Sequence, residues 1–205
     1  MTALQCSIGA LNDVHDATAD AGRMPPKPIA SGLVRPIAAW LVVVGTAFIG
    51  LGLAWVAGPT VVGLALIVLS IGYGYDLLAK GTAWSWLPFA LGIPLLPVYG
   101  WVGAVGSVPS FFVALVPLAV LSGAALAVAN GRADLEEDRK AGERSIVTSL
   151  GDRRAWAVHV GVWAVVVVGA LGWLISDDSP LAGIIAVLAV GGGLLGVALA
   201  GRTGT

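Results

Sequence analysis

Charge is what this chain has least of. Only 11% of its 205 residues are Asp, Glu, Lys or Arg, against 58% apolar, and its mean hydropathy is +0.92. So small a polar fraction cannot coat a soluble domain, which leaves a membrane protein. The net charge of −1 carries no nucleic-acid signal, and no nucleic-acid partner is expected. A single cysteine, Cys6, excludes an internal disulfide and a cysteine-based metal centre. No basic stretch precedes an apolar h-region, so no cleavable signal peptide is expected. A Gly-rich phosphate loop, CxxC, HExxH and GxSxG are all absent. Lysine and arginine are also missing from every second loop. The segments around Gly58–Pro59, Gly103–Pro109 and Ser176–Pro180 have none, so all 11 basic residues fall on one side. The positive-inside rule assigns that side to the cytoplasm.

What is present is a series of long apolar runs. A bilayer core of roughly 30 Å needs about 20 residues at a rise of 1.5 Å each. Runs at 36–57, 59–75, 86–104, 109–130, 155–175 and 180–200 meet this requirement, the second being the shortest. An open strand cannot cross lipid, so the fold class is all-α, a polytopic transmembrane helix bundle of six full spans. Residues 1–12 read as the last turns of a further helix, and sequence upstream of Met1 is expected to be missing. Trp40, Trp84, Trp86 and Trp156 mark one membrane face and Trp55, Trp101 and Trp173 the other, as aromatic belts do, while Trp163 lies mid-span. The 29 glycines, as in Gly45–Gly50–Gly52 and Gly191–Gly192–Gly193, fit close helix–helix approach.

Against this background two carboxylate clusters stand out. The first is Asn12-Asp13-Val14-His15-Asp16, continuing to Asp20; the second is Asp134, Glu136, Glu137 and Asp138. With Glu143 they hold 8 of the 12 acidic residues. Carboxylates gathered beside hydrocarbon mark a functional site by default. Asn12, Asp16 and Asp20 recur at i, i+4 and i+8, and Asp134 and Asp138 at i and i+4, so each set shares one helix face. Carboxylate and carboxamide oxygens suit Mg²⁺, which binds through few protein carboxylates plus substrate phosphates. Arg23 and Lys27 follow the first cluster, and Arg139, Lys140 and Arg144 accompany the second, where they can neutralise phosphate. Glu136 points away from the Asp134/Asp138 face, and Gly142 is expected to break the helix. Between the clusters Lys80 is the only basic residue from Arg35 to Arg132, preceded by Tyr73 and Tyr75. His15 and His159 read as a solvated loop residue and a satisfied interface residue, and Asp177 and Asp178 as solvated loop carboxylates on the opposite side.

These motifs resemble those of the UbiA-type intramembrane prenyltransferase family. N-D-x-x-D-x-x-x-D is present as Asn12, Asp13, Asp16 and Asp20, followed by Arg23, Lys27–Pro28 and Ser31–Gly32. The second motif, D-x-x-x-D with basic residues, Gly and a Ser-led apolar stretch, is matched by Asp134, Asp138, Arg139, Gly142, Ser145 and Leu150–Gly151. A Tyr-then-Lys loop is similar to Tyr75 and Lys80. The resemblance runs in order from residue 1 to about 155, with Met24 at a usual proline and Asp76 intruding into the Tyr–Lys loop. Family members carry more spans, so the first helix, most of the second and the last are expected to be missing from a single prenyltransferase-like domain over 1–205.

The resemblance implies a Mg²⁺-dependent membrane enzyme moving an isoprenyl group from a polyprenyl diphosphate to a lipophilic acceptor. Asn12, Asp13, Asp16, Asp20, Asp134 and Asp138 would hold Mg²⁺. Arg23, Lys27, Lys80, Arg139 and Tyr75 would meet the diphosphate, with Asp16, Asp138 and Lys80 central to catalysis. The chain would be an integral, multi-pass protein with its Asp-rich loops in the cytoplasm. The rivals are a membrane terpene cyclase using the same site, a binding or transport protein for divalent cations or acidic lipids, and an inactive truncated paralogue.

Overall fold

The computed structural model describes residues 1–22, 25–176 and 190–192, and among these the regular structure is helical throughout. Helix α1 covers Thr2–His15, α2 Pro36–Ala57 and α3 Pro59–Gly74. A π-helical turn, Tyr75–Ala79, continues α3. Then come α4 at Leu87–Val105, α5 at Phe112–Ala133, the short α6 at Leu135–Ala141 and α7 at Ile146–Leu150, and α8 at Asp152–Ser176. Among the described residues five stretches are long and apolar enough to cross a membrane: Pro36–Ala57, Pro59–Ala79, Leu87–Val105, Phe112–Ala133 and Asp152–Ser176. They correspond to the first five expected spans; the sixth, 180–200, lies outside the described residues except for 190–192. Residues 1–12 are helical as expected, and α1 runs on to His15.

The fourth span is Phe112–Ala133 where the apolar run is 109–130, the third shifts by one residue to Leu87–Val105, and two further differences have physical reasons. The second span does not stop at Tyr75, because the π-turn carries the helix past the buried Asp76 to Ala79. The last described span begins at Asp152 rather than 155, an acidic residue in the first turn facing the positive end of the helix dipole.

Sequential helices pack as neighbours. Helix α1 lies against α2 and α3, α3 against α4, α4 against α5, and α5 against α8. The core between α1 and α4 is built on Leu4, Ala54, Ala65, Val68, Tyr99 and Val102. A smaller core, Val128, Leu135, Val147 and Ala155, seats α6 and α7 on the ends of α5 and α8. The outer surface is apolar instead of charged: Leu41, Phe48, Trp55 and Val56 of α2 are all exposed. Hydrocarbon solvates such a surface, whereas water would not. Small residues set the helix spacing. A Cβ placed on Gly123 of α5 would come within 2.3 Å of the Phe89 carbonyl oxygen of α4, so only glycine permits this approach.

Candidate functional site

The first acidic cluster grows out of the end of α1. The helix stops at His15, yet the register continues: Asp16 N–H donates to the Asn12 carbonyl at 2.9 Å and Asp20 N–H to the Asp16 carbonyl at 2.8 Å. Asn12, Asp16 and Asp20 thus succeed one another turn by turn. The prolines that follow, Pro25, Pro26 and Pro28, prevent a continued helix, and the chain folds back as a loop before α2.

This loop returns a cation to the cluster. The Lys27 ammonium lies 2.7 Å from Asp20 Oδ2 and 3.5 Å from Asp13 Oδ1. Asp20 is only 3% exposed, so this pair works in a poorly solvated place. Burial by itself would lower the Lys27 pKa. The hydrogen bond to Asp20 and the charges of Asp20, Asp13 and Asp16 outweigh it and raise the ammonium above its ordinary value of 10.5.

A second cation arrives from the π-turn. The Lys80 N–H closes that turn on the Tyr75 carbonyl at 2.9 Å, and its ammonium pairs directly with Asp16 Oδ2. An i→i+5 turn adds a residue to the helical register, and such turns often occur where side chains must be re-aimed. Asp76 is turned inward by the same turn. It is 2% exposed, and its Oδ1 accepts from Asn12 Nδ2 at 3.0 Å. Sequence reasoning left Asp76 aside as an intrusion. A signal was available: it is the only acidic residue between Asp20 and Asp134, and it stands at the end of an apolar span.

The second cluster sits at the junction of α5 and α6. Asp134 caps this junction, and its carbonyl accepts from Glu137 and Asp138 N–H at 3.0 and 2.9 Å. Gly142 ends α6 in the left-handed region, φ 73°, as the sequence led us to expect. Gly142 N–H reaches the Arg139 carbonyl and Glu143 N–H the Asp138 carbonyl, the paired bonds of a Schellman stop. Ser145 then caps α7 by accepting from Thr148 N–H at 3.2 Å. Glu136 is exposed and takes the Arg139 guanidinium at 3.0 Å, so Arg139 is held on the outer side of α6.

Two contacts join the halves. Arg144 N–H donates to the Gly81 carbonyl at 3.0 Å, tying the loop after Lys80 to the loop after α6. Tyr75 lies within electrostatic reach of Asp16 from the first cluster and of Asp134 and Asp138 from the second. Its ring also meets Phe89 edge-on at 5.1 Å and lines an apolar cavity of about 180 Å³ with Gln5, Ile8, Val68, Phe89 and Leu96. Tyr73 faces elsewhere: its hydroxyl and Ser7 Oγ lie 2.6 Å apart, and Ser7 donates to the Val43 carbonyl, locking α1 to α2 and α3. His15 approaches Asp16 at 3.5 Å in an exposed position, and His159 Nδ1 lies 2.9 Å from the Ala125 carbonyl. Arg23, Asp177 and Asp178 fall outside the described residues.

The donor set is all oxygen, flanked by ammonium groups, and fits a hard dication shared with phosphate. Among the described residues no three acidic, His or Cys side chains converge closely enough to hold a metal ion alone. Such a cation would need oxygens from its ligand as well.

Fold and site together define a polytopic helical membrane protein with an acidic, lysine-lined site opening beside an apolar cavity. A profile of the UbiA prenyltransferase family matches residues 1–203, and the chain belongs to that family. It is 29% identical over 186 residues to chloroplastic chlorophyll synthase of Arabidopsis thaliana, covering 83% of this chain and 47% of that protein. It is 30% identical over 156 residues to digeranylgeranylglyceryl phosphate synthase of Methanopyrus kandleri, covering 74% of this chain and 56% of that one. The chain thus spans about half the length of the curated relatives it matches. Among solved structures, a UbiA homologue of Aeropyrum pernix superposes with a TM-score of 0.79 at 20% identity, covering 98% of this chain and 78% of that one. A UbiA homologue of Archaeoglobus fulgidus bound to GPP and Mg²⁺ gives 0.77 at 20% identity, covering 94% and 70%.

Proposed function

We propose that this chain is the catalytic core of a Mg²⁺-dependent prenyltransferase that moves an isoprenyl group from its diphosphate to a lipophilic acceptor within the membrane. The observation that carries this reading is Tyr75, which lines the apolar cavity and feels the charge of carboxylates from both clusters. A diphosphate head belongs on the polar side of that residue and a hydrocarbon tail on the other.

In this reading Asn12, Asp13, Asp16 and Asp20, together with Asp134 and Asp138, would hold Mg²⁺ beside the diphosphate. Mg²⁺ held there would neutralise charge on the leaving pyrophosphate. Lys27 and Lys80, which pair with Asp20 and Asp16, would meet the phosphate oxygens. Arg139, on the outer side of α6, and Arg23 would add positive charge. The bond between the allylic carbon and the diphosphate oxygen breaks, pyrophosphate departs with the electron pair, and the acceptor attacks the cation and gives up a proton. The Tyr75 and Phe89 rings line the cavity, where a cation–π contact stabilises the positive carbon and water is kept away. All 11 basic residues of the sequence fall on one side of the expected spans, so both clusters face the cytoplasm. The site lies at the edge of the hydrocarbon, where a long isoprenoid and an apolar acceptor are both already dissolved.

The test is pyrophosphate release from GPP by the chain in lipid nanodiscs, with a lipophilic acceptor mixture and Mg²⁺. Release that stops on chelation, and in Asp16→Asn and Asp138→Asn, supports the reading. Full activity in either variant contradicts the site assignment.

A further inference from the structure

Asp76 belongs to neither aspartate motif, yet the fold encloses it more completely than any other carboxylate of the site, Asp20 included. The π-turn Tyr75–Ala79 brings it against α1. Its Oδ1 accepts from Asn12 Nδ2 at 3.0 Å, across 64 residues of sequence. Its Oδ2 is fully enclosed and has no hydrogen-bond partner among the described residues. Among the described residues Tyr75, Asp16, Lys80 and His15 are the other charged or titratable groups within electrostatic reach.

A carboxamide has two faces, one oxygen that accepts and one NH₂ that donates. Only the oxygen can meet a dication. An Asn free to rotate would present its NH₂ to the metal for part of the time. With Asp76 holding that NH₂, the Asn12 oxygen is the end left over. Outer-shell partners that orient ligands in this way matter nearly as much as the ligands themselves. The enclosed Oδ2 carries no hydrogen bond from the described residues, so the charge of an ionised Asp76 is left largely unscreened beside Asn12.

We propose that Asp76 is a positioning residue of the first dication site, fixing Asn12 with its oxygen toward the metal and adding a buried negative charge behind it. This rests on the first cluster being a dication site, as proposed above. The probe is Mn²⁺, titrated by EPR into the detergent-solubilised chain in the presence of inorganic pyrophosphate, which supplies the ligand oxygens the site lacks, with the melting temperature of the metal-free protein measured alongside. Asp76→Leu, which removes the acceptor, is expected to weaken Mn²⁺ binding about 10–100-fold while the metal-free melting temperature holds or rises. Asp76→Asn keeps an acceptor oxygen without the charge and should fall in between; it also serves if the Leu variant does not fold. Asn12→Ala should weaken binding similarly, and adding Asp76→Leu to it should do little more, since one residue acts through the other. Wild-type affinity in Asp76→Leu, or fully multiplicative losses in the double variant, overturns the proposal while the site reading survives. A wild-type chain that binds Mn²⁺ no better than Asp16→Asn overturns the site reading and this proposal together.

Discussion

The two acidic clusters carry similar residues in dissimilar settings. The first is built into the bundle: Asp20 and Asp76 are buried, Asp16 is paired with Lys80, and Lys27 bridges Asp13 and Asp20. The second rides on a seven-residue helix between a bent junction and a glycine stop, with Asp134 and Glu136 exposed. The first cluster holds its carboxylates in place through internal cations before any ligand arrives. The second sits on a short helix set off by local caps, nearer the surface. In the proposed function the buried half would fix where the diphosphate sits, and the more exposed half would meet it from the other side.

Substitutions can separate the two halves. The largest effect is expected for Asp16→Asn, which removes a proposed metal ligand and strands Lys80. Pyrophosphate release should fall by about 10²–10³-fold. The melting temperature should fall as well, reflecting about 1 kcal/mol for a lysine that retains some solvent. Asp138→Asn should match it in activity, and the pyrophosphate assay on both variants, with calorimetry for Asp16→Asn, checks this. Next comes Gly142→Ala. Forcing a Cβ into the left-handed region costs about 1–2 kcal/mol locally. It should loosen α6, seen as faster amide exchange over 135–143, with α1 protected as before.

Lys27 gives a smaller, pH-dependent effect. Its raised pKa means the folded state favours the ammonium, so this stabilisation is complete below the ordinary value of 10.5 and is lost as pH rises through the higher folded value. Lys27→Met should therefore flatten the alkaline decline of the melting temperature above about pH 10.5, measured by thermal unfolding in detergent. Smallest of all is Glu136→Ala. Its pair with Arg139 is exposed, so stability should change by less than about 0.5 kcal/mol. A large loss of pyrophosphate release there would show that the second half is more rigid than its exposure implies.

Much of the bundle was legible because hydropathy follows lipid contact directly. The run 36–57 is α2 residue for residue, and the glycine break at 142 is where α6 stops. The short helices α6 and α7 leave no apolar run, being defined by caps at Asp134, Gly142 and Ser145 instead. The spacing of Asn12, Asp16 and Asp20 was readable because one helical register continues through them. Asp76 was not, since its meaning comes from Asn12 across the α1–α3 contact and from a π-turn that no periodicity announces. Nor does spacing reveal that Lys27 and Lys80 lie on carboxylates, a pairing set by the return of the proline loop and by the register of that same turn.

The central claim is that both clusters serve one ligand. Equilibrium binding of radiolabelled GPP to the chain in nanodiscs, with Mg²⁺ and with chelator, tests it most directly. The account predicts Mg²⁺-dependent binding that weakens at least about tenfold in Asp16→Asn and likewise in Asp138→Asn, as expected when charge-assisted contacts to a single diphosphate are lost from either side. Binding that is indifferent to Mg²⁺, or wild-type affinity in either variant, would contradict it.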